Sequence, residues 1–390
     1  MKNHLLKRIF RKIKRLFRPE PFFKLMMKVC RILPLQNKIV FSSQGGLYFS
    51  DSPLAIFEEM RARGLKYCFV CLSKNADQQI EGAKTVRLSS LAACYHLATA
   101  RVWVDNKRKP AWVRKKKGQF YVQTWHSGIG NKKVEKYAED KLSPQYLWRA
   151  KNDSKMADLF ISGSKWQTEL YRNAFWYDGE ILESGLPRSD VLFRSTDSTV
   201  EKVYKYFSVP QKTRLILYAP TFRDKYYKMD VYNLDYQRVI CTMQKCFGGE
   251  WKVLVRLHPN VAKRHTEFHY DTDVLDASMY PEINELIVAS EWLITDYSSC
   301  VFDAAECGKR AVLYASDLKE YAEARGFYWP FDQLPFYFAE TNDDLINYIE
   351  HFDEAKYEAV TTTFIEQFGI FDDGKASERV VDRILEAVKE

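Results

Sequence analysis

Short apolar segments of β type alternate with amphipathic segments of helical type along most of the chain, and this alternation constrains the fold more than any other feature. The predicted strands form two series, namely 38–43, 67–72, 100–105, 119–125, 158–164 and 180–185, then 214–220, 251–259, 292–299 and 311–316. Such alternation is typical of a mostly parallel sheet flanked by helices. The sequence therefore predicts an α/β protein with two consecutive open sheets.

The weakest stretch between the two series lies at 190–212, which contains the segment "STDST" and Pro210. A chain of 390 residues exceeds one ordinary core. We therefore predict a basic segment at 1–34 and two Rossmann-like domains, at 35–195 and 196–390. Ligands of open α/β sheets bind beyond the carboxyl ends of the strands, so a cleft between facing domains is expected to hold the substrates.

The positive charge of the chain is concentrated at its start. The formal net charge is +8, but residues 1–31 contain eleven Lys or Arg and one acidic residue, Glu20, and the remainder is close to neutral. Apolar residues recur between these cations every three or four positions, at Leu5, Leu6, Ile9, Ile13, Leu16 and Phe17. This pattern predicts an amphipathic helix lying in a membrane interface, with its cations facing anionic headgroups.

Two other interpretations of this basic segment stay open, an arm that binds nucleic-acid phosphates and a helix docked on the protein's own body. Its leucine and phenylalanine face favours lipid, so we predict an anionic membrane surface as the partner of residues 2–31, and no nucleic acid. No apolar run approaches the roughly 20 residues that span a bilayer, and charges interrupt any signal-peptide core. We expect peripheral attachment.

The eight cysteines have no regular spacing, which favours free thiols in a reducing compartment. Cys68 and Cys71 form a CxxC, but it lies in a strand pattern and has no second pair, so a zinc or redox site is not predicted. No other His, Cys or carboxylate cluster has convincing metal-ligand spacing. We therefore predict neither a metal ion nor a cofactor.

Four predicted strands end abruptly in polar or glycine-containing residues: "QTWHSGIG", "LYAPTFRD", "VRLHPN" and "ITDYSSCVFDAAECG". These ends are expected to project toward one cleft. In the last of them, Asp296 or Ser298 can cap the helix that follows, and the helix N–H groups with the Ser298 and Ser299 hydroxyls would then form a phosphate cradle. A simple N-cap is the competing interpretation.

Cations accompany this cradle at two of the other strand ends. Arg256 and His258 stand at i and i+2 and so leave the same face of a strand, and Arg223 follows another strand. Two guanidinium groups and a histidine near a helix N-terminus suit a pyrophosphate whose charge must be neutralised. Each arginine taken alone fits an ordinary salt bridge equally well, and their shared placement favours binding.

His126 stands where a strand gives way to glycines, in "QFYVQTWHSGIGNKK". A histidine in a strand is usually a packed core residue, but one at a strand exit beside glycines can meet a substrate closely. Its ordinary pKa near 6.5 suits a general base at neutral pH. We therefore predict His126 as a catalytic base.

Several of these segments, in order, resemble the CDP-glycerol glycerophosphotransferases, which prime or polymerise wall teichoic acids and some capsules. The resemblance covers about 118–372 and rests on "TWHSGIGNKK", "SGLPRSDVL", "ILYAPTFRD", "VRLHPN", "INELIVASEWLITDYSSCVFDAAECGKRAVLY" and "RGFYWPF". It implies a GT-B-like fold, with an N-terminal acceptor domain and a C-terminal CDP-glycerol-binding domain. It also implies attachment to the cytoplasmic side of the cell membrane.

The resemblance also implies roles for particular residues. His126 matches the family's base, although Ser127 stands where many members have glycine, and His258 matches a histidine that contacts the donor phosphates. The segment Thr295, Asp296, Ser298 and Ser299 matches the diphosphate and ribose region, and Arg223 with Asp224 matches an APT-aromatic-RD motif. We predict His126 and His258 as catalytic residues, and as substrate-binding residues Arg223, Arg256, Thr295, Asp296, Ser298 and Ser299.

The predicted reaction is transfer of glycerol phosphate from CDP-glycerol to a hydroxyl of a lipid-linked glycan or polyol-phosphate acceptor, with release of CMP. Three alternatives stay open: a CDP-ribitol ribitolphosphotransferase, a GT-B glycosyltransferase that uses a nucleotide sugar, and a non-catalytic membrane-binding scaffold. The sequence leaves the choice between primase and polymerase open.

Overall fold

The computed structural model describes residues 19–75, 77–194, 196–221, 223, 232, 234–257 and 270–389, without the side chains of 322–325. The predicted α/β class with two parallel sheets is confirmed, because every strand pair of known register is parallel. Each predicted strand is present within a few residues of its expected limits. Three short strands that the sequence did not signal, β3, β10 and β13, complete the sheets at or near their edges.

The first sheet has the order β3-β2-β1-β4-β5-β6-β7. Its strands are β1 Gln36–Ser42, β2 Cys68–Ser73, β3 Lys84–Arg87, β4 Ala100–Asp105, β5 Phe120–Gln123, β6 Leu159–Ser162 and β7 Glu180–Glu183. The central strands are almost continuously apolar and buried, because helices cover both faces of a parallel sheet. The order changes direction between β1 and β4, and this is the topological switch point of the sheet.

The second sheet has the order β10-β9-β8-β11-β12-β13. Its strands are β8 Thr213–Ala219, β9 Glu250–Val255, β10 Val274–Asp276, β11 Trp292–Thr295, β12 Arg310–Tyr314 and β13 Phe338–Ala339. Strands β8 and β11 pair in register from Ile216 and Trp292 to Ala219 and Thr295. Their carboxyl ends therefore lie side by side.

Most of the helices lie between consecutive strands, in keeping with the alternation in the sequence. They are α1 Pro19–Cys30, α2 Asp51–Ala62, α3 Leu91–Thr99, α4 Pro144–Met156, α5 Lys165–Ala174, α6 Asp190–Phe193, α7 Asp197–Phe207, α8 Tyr236–Phe247, α9 Ile283–Ala289, α10 Cys300–Glu306, α11 Leu318–Arg325, α12 Asn342–Glu350, α13 Glu354–Glu366 and α14 Ala376–Lys389. None of the helices in the described part of the chain is long and apolar enough to cross a bilayer.

The chain packs into two compact units. The first runs to Trp125 and adds Pro144–Phe160 and Val381–Glu390, and the second consists of His126–Ser143 and Ile161–Val380. The predicted domain limits, 35–195 and 196–390, follow the two sheets and stay a prediction. The stretch at 190–212, which looked weakest in the sequence, contains helices α6 and α7.

Residues 1–18 of the basic segment lie outside the described residues. Helix α1 contains most of the part that is described. Helix α1 begins at Pro19, since proline is well tolerated in a first turn. Phe23 and Met27 are buried, and the Phe23 ring lies 5.5 Å from the ring of Trp112. One face of α1 is therefore docked on the first unit.

Candidate active site

Residues His126–Lys133 form a loop that we call the histidine loop. Just before it, β5 ends at Gln123 and Trp125 adopts a left-handed backbone conformation, with φ +54°. Such a conformation is costly for a bulky residue and is found mainly where the surrounding structure requires it. The Gln123 side-chain oxygen accepts a hydrogen bond from the Trp125 N–H at 3.0 Å. This turn directs the chain out of the strand immediately before the half-buried His126.

Apolar packing anchors the histidine loop in the second unit. Ile129 is buried in the core cluster of that unit, and the Gln167 side chain donates to the Ser127 carbonyl at 2.6 Å. A methyl group added at Gly128 would lie 3.2 Å from the Leu186 side chain. The sequence suggested that the glycines let a substrate approach, and the structure shows that Gly128 permits close packing of the loop.

Asn131 ties the histidine loop to the segment 326–329, which carries the sequence "GFYW". Its carbonyl accepts from the Tyr328 N–H at 2.8 Å, and its side chain exchanges two hydrogen bonds with the backbone of Trp329, at 2.8 and 2.9 Å. A bridge between Lys132 and Phe327 continues this contact. Two segments almost 200 residues apart are thereby held together, which the sequence alone did not reveal.

The histidine loop also reaches the start of α10. A Cβ built on Gly130 would lie 3.5 Å from the Cβ of Ser299, which is van der Waals distance. Ser299 is the N-cap residue of α10 without a side-chain cap bond, and the Ser298 hydroxyl accepts a long, 3.4 Å hydrogen bond from Cys300 N–H. The predicted polar ends that contain His126 and Ser299 are therefore neighbours within one unit.

One interpretation of the sequence expected Asp296 to cap α10. In the structure, Asp296 does not cap this helix. Its carboxylate accepts from the N–H groups of Thr221 and Tyr297 and from the guanidinium of Arg223, at 2.8 Å. Asp296 is thus committed to joining the carboxyl ends of β8 and β11. Thr295 beside it is fully buried and donates to the Ala219 carbonyl at 2.7 Å, which strengthens the same junction.

Arg223 is almost completely enclosed by its partners. It donates to both oxygens of Asp317, at 2.7 and 2.9 Å, to Asp296, and to the Thr221 carbonyl. Burial would lower its pKa, but the hydrogen bonds and charges of the two carboxylates outweigh burial and raise the pKa. Four of its five N–H groups are used, so a phosphate can take up only the fifth without breaking these bonds.

Aromatic rings surround this guanidinium. The rings of Tyr297 and Tyr321 stack at 4.0 Å, and Arg223 lies 4.8 and 4.9 Å from their centroids. The Lys132 ammonium lies 5.2 Å from the Tyr321 ring. Cations near aromatic faces are stabilised by the charge distribution of the ring, so these tyrosines help to hold Arg223 and Lys132 in place beside the histidine loop.

Arg256 lies just beyond β9 and its guanidinium donates to the backbone carbonyls of Tyr280 and Pro281. Its backbone N–H donates to the Tyr218 carbonyl at 2.8 Å, which continues the sheet beyond β9. His258 and Asp224 lie outside the described residues. Described contacts thus link the polar strand ends that contain His126, Arg223 and Asp296, and the Arg256 N–H links the fourth strand end to β8.

Asp317 is the residue that sequence reasoning missed most clearly. It follows β12 in "YASDL", the same layout of apolar strand and polar end that identified the other four sites. Applying that rule to β12 would have found it. Asn131, Tyr321 and Trp329 carry no comparable signal, because their roles depend on which distant segment they meet.

A second buried cluster of charged side chains contacts α10 through Asp303. Arg188 donates to both oxygens of Asp303, at 2.9 and 3.0 Å, and to Asn284. Burial raises the pKa of Asp372 to about 7, although its carboxylate accepts the N–H of Leu186 at 2.6 Å. Burial and then the charge of Asp372 raise the pKa of Glu306 well above its usual value. No group of three or more His, Cys, Asp or Glu among the described residues is placed to hold a metal ion.

Comparisons with known proteins agree with this architecture. The model of the family "CDP-Glycerol:Poly(glycerophosphate) glycerophosphotransferase" matches residues 25–386. The teichoic acid poly(glycerol phosphate) polymerase of Bacillus spizizenii is 29% identical over 93% of this chain and 96% of its own length. The polymerase of the same description from Staphylococcus epidermidis is 30% identical over 90% of this chain, which spans only 51% of that protein.

A solved structure gives the same result at the level of the fold. The wall teichoic acid polymerase TagF is 28% identical and covers 100% of this chain and 98% of its own, with a TM-score of 0.83. A variant of TagF soaked with CDPG matches equally well. This similarity confirms the predicted GT-B-like fold class.

Proposed function

This chain belongs to the CDP-glycerol:poly(glycerophosphate) glycerophosphotransferase family, and we propose that it transfers glycerol phosphate from CDP-glycerol to a hydroxyl of a membrane-linked polyol-phosphate or glycan acceptor. The product enters teichoic acid or capsular polymer synthesis, and CMP is released. The observation that carries this proposal is the contact of the histidine loop with α10, where Gly130 lies against Ser299. Family membership supplies the reaction, and this contact brings the segment of a candidate base to a candidate phosphate-binding segment.

In the proposed mechanism, the donor pyrophosphate lies near the start of α10, where Ser298 and Ser299 offer hydroxyl donors. The acceptor oxygen attacks the β-phosphorus and gives its proton to His126. The new bond joins the acceptor oxygen to that phosphorus, while the bond from the phosphorus to the bridging oxygen breaks and its electron pair leaves with CMP. Charge spreads over the phosphoryl oxygens in such transfers, so fixed cations and N–H groups supply most of the catalysis.

The structure refines the proposed roles of the arginines. Arg223 is bound by Asp296 and Asp317, so its main role is to hold the ends of β8 and β11 and to compensate these two carboxylates. Arg256 donates to the carbonyls of Tyr280 and Pro281 beyond β9. Because it stands two residues before His258, in the segment that the resemblance links to the donor phosphates, we propose Arg256 as the direct phosphate contact and Arg223 as its support.

Replacing His126 with Ala tests the proposed base. We expect turnover to fall by roughly 10²- to 10⁴-fold, because general-base catalysis is lost while the donor contacts are kept. CDP-glycerol binding, measured by calorimetry, should change little. His351→Ala provides a matched control, since His351 is exposed at the end of α12. Full residual turnover of His126→Ala would exclude His126 as the base.

The donor is tested by incubating the enzyme separately with CDP-glycerol, CDP-ribitol and a UDP-sugar, with an acceptor present. CMP release from CDP-glycerol is the expected result. Preferential CMP release from CDP-ribitol would replace the donor, and UDP release would replace the reaction class with glycosyl transfer. Absence of nucleotide binding in calorimetry would leave the non-catalytic scaffold.

We further propose peripheral attachment to the cytoplasmic face of the membrane through residues 2–31. The face of α1 opposite its docked side exposes Phe22, Leu25 and Val29 by half or more, and Ile32 just beyond is 83% exposed. Lys24 and Lys28 are exposed on the same helix. Exposed apolar side chains flanked by cations favour insertion among anionic headgroups.

Sedimentation with lipid vesicles tests this attachment. Binding to vesicles with anionic phosphatidylglycerol, and weak binding to phosphatidylcholine vesicles, is expected. Leu25→Glu with Ile32→Glu should release the protein, because both side chains are exposed and their replacement leaves the docked face intact. Unchanged vesicle binding of the double variant would contradict a role for α1 and leave residues 2–18 as the alternative.

A further inference from the structure

The switch point of the first sheet has the layout of a ligand site that the proposed donor and base do not use. Strands β1 and β4 are neighbours there and pair Ser42 with Asp105 at their carboxyl ends. The connections that follow them, 43–50 and 106–109, begin side by side. Ligands of open α/β sheets bind preferentially at this position, where the loops on the two sides of the sheet part.

The connection after β1 is held in one unusual conformation. Gln44, Gly45, Gly46 and Asp51 all have positive φ, at +48°, +62°, +79° and +66°. For Gln44 and Asp51 such a conformation costs roughly 1–3 kcal/mol each, and proteins retain it mainly at functional positions. The Ser43 hydroxyl closes the loop, since it donates to the Tyr48 carbonyl at 2.6 Å and accepts from the Ser50 N–H at 3.0 Å.

The strained loop is also tied to its neighbours. A Cβ on Gly46 would lie 3.1 Å from the backbone nitrogen of Lys74, so only glycine fits without displacement. The Gln44 N–H donates to the Asn106 side-chain oxygen at 2.8 Å, which joins the two connections. The Gln44 side chain donates to the Asp51 carboxylate at 3.2 Å. The Gln44 side-chain amide and the Asp51 carboxylate are thereby held next to the switch point.

Lys107 supplies a cation beside them. Its neighbour Lys109 forms a buried ion pair with Asp105 at 2.7 Å, and Arg108 pairs with Asp153 at 3.3 Å. Lys107 has no carboxylate within ion-pair distance among the residues that the structure describes, and its side chain is half-buried. Burial lowers its pKa, and the more distant charges of Asp51 and Asp105 only partly offset this. A half-buried ammonium group without an ion pair has lost part of its hydration, which an arriving anion can replace.

We propose that Lys107, Gln44 and Asp51 bind a phosphorylated polyol segment of the acceptor, with the Lys107 ammonium on a phosphate and the Gln44 amide and Asp51 carboxylate on hydroxyl groups. This site rests on the proposed function for its role, but it lies entirely within the first unit. A polyol phosphate carries one phosphate anion per unit beside one or more free hydroxyls, and the three side chains offer one cation and two hydrogen-bonding groups.

Steady-state kinetics with Lys107→Met and Lys107→Arg test the site. The acceptor is a lipid-linked glycan that carries one glycerol phosphate. We expect Lys107→Met to raise the acceptor KM roughly 10- to 100-fold, as lost hydrogen bonds to a charged group usually do, and to leave the KM for CDP-glycerol unchanged. Lys107→Arg should restore part of the affinity, because it keeps the charge. Lys66→Met is the control, because Lys66 is exposed at the amino edge of the same sheet.

Further probes separate this inference from the proposed function. A short oligo(glycerol phosphate) should bind the wild-type protein in calorimetry and bind Lys107→Met weakly, whether or not transfer is observed. Inorganic phosphate at equal concentration should compete poorly if hydroxyl contacts matter. If the wild type releases CMP but Lys107→Met keeps the acceptor KM, the site is wrong and the function stands. An equal KM increase with an acceptor that lacks phosphate would also overturn the site. No CMP release from any CDP-polyol, with oligo(glycerol phosphate) binding intact, would sink the function alone.

Discussion

The carboxyl edges of the two sheets differ in whether their cations are paired with carboxylates. At the second sheet, Arg223 is enclosed by Asp296 and Asp317 and donates four hydrogen bonds. At the first sheet, Lys109 is paired with Asp105, whereas the adjacent Lys107 has no ion pair among the described residues. Both edges occupy the position where α/β sheets bind ligands.

This difference teaches how to distinguish an architectural cation from one held for a ligand. A guanidinium whose carboxylate partners are already present stabilises the strand ends, and removing it leaves buried charges without compensation. A half-buried ammonium without a partner adds little to the stability of the free protein and gains most when an anion arrives. The two classes predict opposite responses to the same kind of substitution.

Arg223→Met is expected to give the largest effect. It leaves Asp296 and Asp317 buried without their cation, and breaking a buried pair in this way typically costs about 3–5 kcal/mol. The free energy of unfolding, measured in urea, should fall by that amount. Unchanged stability together with weaker CDP-glycerol binding would show instead that Arg223 is primarily a ligand contact. It would contradict the difference drawn here between Arg223 and Lys107.

Asn131→Ala should give an intermediate effect in the same unit. It removes two side-chain hydrogen bonds to Trp329 and leaves the backbone groups of that residue unpaired, which costs about 1–3 kcal/mol. Because these bonds position the histidine loop, kcat should fall while CDP-glycerol affinity in calorimetry is kept. Asn152→Ala serves as the control, because its side chain donates to a carbonyl of its own helix. Equal kcat values for both variants would contradict the positioning role.

Asp372→Asn sharpens the description of the second unit through pH. The pKa of Asp372 is raised to about 7 by burial, near Asp190, Asp303, Glu306 and Arg188. Between its usual value and about 7, the unfolded chain loses a proton that the folded protein keeps, so stability falls as pH rises. The slope for one such group is at most about 1.4 kcal/mol per pH unit.

The asparagine variant should therefore show a flatter stability profile between about pH 4 and pH 7, since it has no proton to lose. Melting temperatures measured across this range provide the test. Asp373→Asn is the control, because its exposed carboxylate pairs with Arg379 and the hydrogen bond with Arg379 lowers its pKa. Parallel profiles for the wild type and Asp372→Asn would show that Asp372 is ionised throughout.

Lys107→Met should change the free energy of unfolding less than the other variants, and this would distinguish Lys107 from Arg223. Without an ion pair to break, the free energy of unfolding is expected to stay within about 0.5 kcal/mol of the wild type. A loss comparable to that of Arg223→Met, measured in the same urea series, would place Lys107 with the architectural cations.

Much of the fold and part of the site followed from local sequence. Central strands such as β1 and β4 contain short apolar runs, at 39–41 and 102–104, and such runs indicate burial on both faces of a sheet. The polar ends at His126, Arg223 and Asp296 could be recognised because each closely follows such a strand. Asp317 follows β12 in the same way, and the same rule would have identified it. The short strands β3, β10 and β13 were missed because two to four residues carry too little periodicity.

The sequence by itself determined the class of fold, the family and the strand ends where polar side chains accumulate, because these depend on spacing along the chain. Only the tertiary structure decided which of these side chains are already paired. Asp296 was expected to cap a helix but joins Arg223, and Asn131 joins Trp329 across 198 residues. The physical reason is that the cost of a buried polar group is set by the partners that folding brings to it, and those partners come from distant parts of the chain.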